Sequence, residues 1–128
     1  MSITSIRGAI TVEENTRDNI LEATREMLKS ILEANSLDVS ELVQLHFSCT
    51  KDIDAAYPAV AARELGITDA TLMCFQEMYV VGSLPKCIRV DMIVEKKNFN
   101  KNNVKHQYLR NAVCLRPDLV NKEQLKYE

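Results

Sequence analysis

The sequence predicts an α+β fold, a mixed β-sheet with one long helix packed on one face. The segment from Thr16 to about Asn35 carries an apolar stripe at helical spacing, and several other segments alternate apolar and polar residues with the period of a half-buried strand. These signals follow one another as strand, helix, strand, short helix and three strands. The chain has 128 residues, 46% hydrophobic and 27% charged, with 3 Gly and 3 Pro, which suits a single globular domain spanning residues 1–128.

The first strand is expected from Ile3 to Val12. Ile6, Ile10 and Val12 fall on even positions and Ser5, Arg7 and Thr11 on odd ones, so Arg7 faces away from the core. Asn15 or Thr16 can cap the helix, with Asp18 near its positive end and Ile20, Ala23, Met27, Ile31 and Leu32 as its buried stripe. A capped turn at Asp38 to Glu41 leads into a strand in which Val43, Leu45, Phe47 and Cys49 alternate with Gln44, His46, Ser48 and Thr50. Pro58 suits the first turn of a short helix from about Ala59 to Leu65, which Gly66 can end.

Ala70 to Gln76 reads as a third strand, and Gly82, Ser83 and Pro85 mark a connection to the next. In that strand, Lys86 to Glu95, Ile88, Val90, Met92 and Val94 share one face, with Arg89 and Asp91 on the other. After a loop at Asn98 to Asn103, Tyr108 to Leu115 is expected as a last strand, although periodicity alone leaves a helix from Val104 open. The polar tail from about residue 118 is expected to be mobile. One long helix covers one sheet face only, so the other face calls for a partner subunit.

A formal charge of -2 and a pI near 5.7 give no general attraction for nucleic acid or an anionic membrane. An anionic ligand must therefore meet locally placed Arg or Lys. No segment reaches the roughly 18 apolar residues of a membrane span, and the start of the chain lacks the basic and apolar stretch of a leader, so a cytoplasmic location is expected. Cys49, Cys74, Cys87 and Cys114 form no CxxC pair and read as reduced thiols, three of them in apolar runs where Cys is expected to be a small buried hydrophobe. His46 and His106 are isolated and read as structural, and no phosphate-binding or zinc-hydrolase motif occurs, so neither cofactor nor metal is expected.

The polar residues that leave the core pattern are Arg7, Arg63, Cys74, Glu77, Arg89, Tyr108 and Arg116. They sit within Ile6-Arg7-Gly8-Ala9 with Thr11-Val12-Glu13, Tyr57-Pro58-Ala59 with Ala62-Arg63-Glu64-Leu65, Cys74-Phe75-Gln76-Glu77-Met78, Lys86-Cys87-Ile88-Arg89-Val90 and Leu115-Arg116-Pro117-Asp118-Leu119. In this order, over nearly the whole chain, the five motifs resemble the monofunctional chorismate mutases of the Bacillus type.

The resemblance implies a homotrimer with a barrel-like core, and cofactor-free rearrangement of chorismate to prephenate in clefts between subunits. It implies that Arg89 meets the ether oxygen, Arg7 and Tyr108 bind carboxylate, and Glu77 accepts a hydrogen bond from the ring hydroxyl, all from one subunit. Tyr57, Arg63, Met73 and Cys74 would come from the neighbour. Ala59 and Leu115 join the implied substrate-binding set, with Arg116 contributing to the electrostatics of the pocket. Tyr57 stands where an apolar Phe is familiar, Val60 where a Lys is and Met73 where a small hydroxyl residue is, departures that bear on affinity more than on reaction type. A trimeric imine deaminase and a non-catalytic metabolite sensor are the competing readings.

Overall fold

A computed structural model of the chain describes residues 2–115. Strand β1 (Ser2–Thr11) is followed by helix α1 (Arg17–Ala34), a 3-10 turn at Val39–Glu41, β2 (Leu42–Cys49), α2 (Ala59–Glu64), β3 (Thr71–Gln76), β4 (Cys87–Lys96), β5 (Gln107–Tyr108) and a 3-10 segment at Arg110–Leu115. The strands lie in the order β3-β2-β4-β1-β5. β4 runs antiparallel to β1 and β2, while β2–β3 and β1–β5 are parallel. A parallel pair cannot be closed by a tight hairpin, and α2 provides the crossover from β2 to β3.

The pleat sorts the side chains. Ile6, Ile10, Leu45, Phe47, Ile88, Val90, Met92 and Val94 all lie on one face and are at most 1% exposed. Against them α1 lays Ile20, Ala23, Met27, Leu28 and Ile31, each fully buried. Thr16 caps α1 by accepting the Asn19 N–H at 3.2 Å, and Asp18 sits in the first turn. At the other end buried Asn35 donates to the carbonyls of Ile31 and Lys105 and accepts the Lys105 N–H at 2.8 Å, tying the helix to the segment that enters β5.

Three expectations need correcting. Val43 is exposed, because the register slips between Leu42 and Gln44 and the bulge gives its core place to Leu42. The last strand is confined to Gln107 and Tyr108. Arg110 adopts a φ of 54°, its guanidinium donates to the Thr11 carbonyl at 3.0 Å and pairs with Glu26, and the chain turns into the 3-10 segment. Of the cysteines, only Cys49 and Cys87 are buried; Cys74 is half-buried and Cys114 exposed. Arg116 and the tail from about residue 118 lie outside the described residues. Among the described residues no helix is long and apolar enough to cross a membrane.

No described helix covers the second sheet face. A small cluster of Ala9, Cys87, Tyr108 and Ala112, with Leu84 and Leu115 packed on it, closes one end of that face. The rest presents polar residues together with Met73 and Phe75, which are 53% and 45% exposed.

Candidate active site on the open sheet face

Register builds the site. Phe75 pairs with Ser48, Ser48 with Arg89, Arg89 with Ala9 and Ala9 with Tyr108, so one row of side chains crosses all five strands on the open face. The neighbouring row contains Met73, His46, Asp91 and Arg7. Adjacent strands stand about 4.8 Å apart, which brings Arg89, Arg7 and Tyr108 within the reach of one small ligand. Arg7, His46, Ser48, Phe75, Arg89 and Asp91 border an open depression of about 120 Å³.

Glu77 follows the last residue of β3, where its N–H donates to the Cys49 carbonyl at 2.8 Å. Its carboxylate accepts the Ser48 hydroxyl at 2.8 Å and lies 3.3 Å from Arg89 Nε. That nitrogen is buried and the carboxylate is too poorly aligned to take its hydrogen, so the pair is ionic and leaves a donor unused. The rest of the guanidinium is better placed: the Arg89 side chain is 27% exposed, so its fixed charge is open to a ligand oxygen. Arg7 is exposed, and its backbone N–H donates to His106 Nδ1 at 2.9 Å, which gives His106 a structural part at the sheet edge.

Tyr108 is 4% exposed, its ring packed in the cluster at the end of the face, and Leu115 is half-buried against the same cluster. Cys74 follows Met73 in β3 and so points to the opposite side. There it borders a second, larger cleft of about 600 Å³ with Arg17, Lys51, Tyr57 and Phe75. Tyr57 is 71% exposed at this cleft. Ala59 is buried in α2, Arg63 is exposed in the helix's last turn, and neither lines the cleft.

One chain therefore brings together Arg7, Glu77, Arg89 and Tyr108, and separately Tyr57 and Cys74. Met73 lies on the Arg7 side. Ser48, which holds Glu77, was not singled out from sequence, because only the register shows that it stands beside Arg89.

The thiols nearby are poor nucleophiles. Burial pushes Cys87 up to about 11, partly opposed by the Arg89 guanidinium, and pushes Cys49 up to about 12, with Cys74 and Cys87 adding to the rise. Among the described residues no three His, Cys, Asp or Glu side chains converge as a metal site. The arrangement can bind and polarise an oxyanion between fixed charges.

Comparison with known proteins agrees with this geometry. The family model described as chorismate mutase type I matches residues 3–119. The chorismate mutase AroH of Bacillus subtilis is 44% identical over 120 residues, 93% of this chain and 94% of that protein. The Thermus thermophilus chorismate mutase AroH is 46% identical over 118 residues, 91% and 96% of the two chains. The solved chorismate mutase from Clostridium thermocellum superposes with a TM-score of 0.83 at 46% identity, covering 86% of this chain and 97% of that one. With its motifs, topology and relatives in agreement, the chain belongs to the type I chorismate mutase family.

Proposed function

We propose that the chain is a chorismate mutase acting in aromatic amino acid biosynthesis in the cytoplasm, with each pocket assembled from two copies of a homotrimer. The observation that carries this reading is the Arg89–Glu77 pair on a sheet face that no described helix covers. Family membership supports the reaction, and the separation of Tyr57 and Cys74 from that pair supports a pocket completed by a neighbour.

Chorismate carries two carboxylates and a ring hydroxyl. Its rearrangement breaks a C–O bond as a C–C bond forms, and no enzyme group need attack or take a proton. Catalysis then rests on holding the compact conformer and on stabilising the negative charge that grows on the ether oxygen. In this reading Arg89 supplies that stabilisation through the exposed part of its guanidinium, and Glu77 accepts the ring hydroxyl while keeping Arg89 in place. Arg7 and Tyr108 bind carboxylate, Arg63 and Arg116 contribute to the electrostatics of the pocket, and Cys74, Met73, Tyr57 and Leu115 shape the remaining walls, with Ala59 packed behind them in α2. Charge on Arg89 that counts more in the transition state than in the ground state raises the rate rather than affinity alone.

The test is the loss of chorismate ultraviolet absorbance on adding the purified chain, with prephenate identified as product. An unchanged spectrum at micromolar protein would reject the proposal.

A further inference from the structure

The larger cleft contains two cations that the catalytic reading does not use. Arg17, at the start of α1, and Lys51, in the turn after β2, both line it beside Tyr57 and Cys74. No described carboxylate lies within ion-pair distance of either. The acid in the lining, Asp54, is engaged elsewhere: it accepts Asn15 Nδ2 at 2.7 Å, and its own N–H donates to Asn15 Oδ1 at 3.0 Å. Two cations against one carboxylate leave the concavity with net positive charge, and its field attracts anions.

The backbone on either side of Lys51 is pinned. The Thr50 N–H donates to the Cys87 carbonyl, the Thr50 hydroxyl accepts the Cys87 N–H, and the Asp52 carboxylate accepts the Lys86 N–H at 2.9 Å. Only the side chain is free to swing. Its ammonium rests 3.6 Å from the centroid of the Tyr79 ring, which is itself 53% exposed. An exposed ring holds a cation weakly, so an incoming carboxylate can take its place.

We infer that Lys51, assisted by Arg17, binds a carboxylate of the substrate in the Tyr57–Cys74 cleft, with the Lys51 ammonium moving from the Tyr79 ring to the ligand. The assignment rests on the chorismate mutase reading and adds two residues to it. It also couples the Tyr79 loop to occupancy, because Tyr79 lies two residues beyond Glu77 and loses its cation when the cleft fills.

Steady-state kinetics of the full chain on chorismate test it. Lys51→Gln should raise KM on the order of tenfold while kcat stays within about twofold, and Arg17→Gln should raise KM by a smaller factor. Lys51→Arg should restore most of the affinity. Added salt should raise the wild-type KM more steeply than that of Lys51→Gln. Lys101→Gln is the control, because it removes one charge from the loop beyond the opposite end of β4 and should leave KM unchanged. Turnover by the wild type with unchanged KM in both Lys51→Gln and Arg17→Gln would overturn the assignment alone. Absence of wild-type turnover would overturn the reading beneath it and the assignment with it.

Discussion

Arg89 is held on three sides: β4 fixes its backbone between Ser48 and Ala9, Glu77 fixes its charge, and burial removes water from Nε. Its removal should therefore depress kcat strongly and not merely weaken binding. Arg89→Ala is expected to lose about a hundred- to a thousandfold in kcat, the roughly 3 to 4 kcal/mol of one preorganised donor. Arg89→Lys keeps the charge but loses the planar fork and should recover little of the rate. A kcat within a few-fold of wild type in a folded Arg89→Ala chain would refute the role.

The thiols give a separate residue-scale test. The raised pKa values of Cys49 and Cys87 keep them neutral at pH 8, so iodoacetamide should label exposed Cys114 and spare those two until the chain is unfolded, as read by peptide mass spectrometry. At this scale much of the site was legible. Period-two alternation alone sets Arg7 and Arg89 on the face away from Ile10 and Ile88. The same rule places Met73 and Cys74 on opposite faces of β3. The part of Ser48 was hidden, because it depends on pairing with a strand about forty residues away.

Elements were legible where a pattern ran long and was decided locally. Helix α1 has its cap, its stripe and its end written in its own residues. The segment after Tyr108 does not, since its course is set by Arg110 reaching back to Thr11 and Glu26, contacts distant in sequence. The bulge at Val43 is equally nonlocal, because it exists only relative to β4. How closely α1 can approach β1 is set at Gly8. A Cβ there would lie 2.7 Å from Ile31 Cδ1 and 3.3 Å from both Met27 Cγ and the Gln107 carbonyl oxygen. Gly8→Ala should thus force the helix or β5 outward and cost about 1 to 3 kcal/mol. The measurement is a fall in urea midpoint with the slope unchanged.

The turn before β2 adds a pH effect. Asp38 accepts the Ser40 N–H and Glu41 reaches back to the Asp38 N–H, which closes a capping box. Hydrogen bonds from the Ser40 backbone and then its side chain, with a smaller pull from Lys96, hold the Asp38 carboxyl below its ordinary value. Its stabilisation is therefore present above the unfolded aspartate pKa and lost as pH falls through the lowered one. The stability gap between wild type and Asp38→Ala should be open at neutral pH and close in acid.

At the scale of the whole molecule, the proposed trimer follows from what a single chain leaves uncovered. Ile3, Met73, Met78 and Val81 are 69%, 53%, 79% and 85% exposed, and Phe75 adds an aromatic ring to the open face. So much apolar surface is characteristic of contact between copies. Light scattering should give three times the 14.5 kDa chain mass. Subunit mixing tests where the pocket lies. Suppose Arg89→Ala disables one wall and Cys74→Asp disables the other by setting a carboxylate against the anionic substrate. In a 1:1 mixture refolded together, a pocket is intact only when its Arg89 wall comes from a Cys74→Asp subunit and its Cys74 wall from an Arg89→Ala neighbour. Random assembly gives roughly a quarter of pockets this composition, so two inactive proteins should together recover about a quarter of wild-type activity. Pockets built within one chain would recover none, and that result would confine the site to the open face of a single subunit.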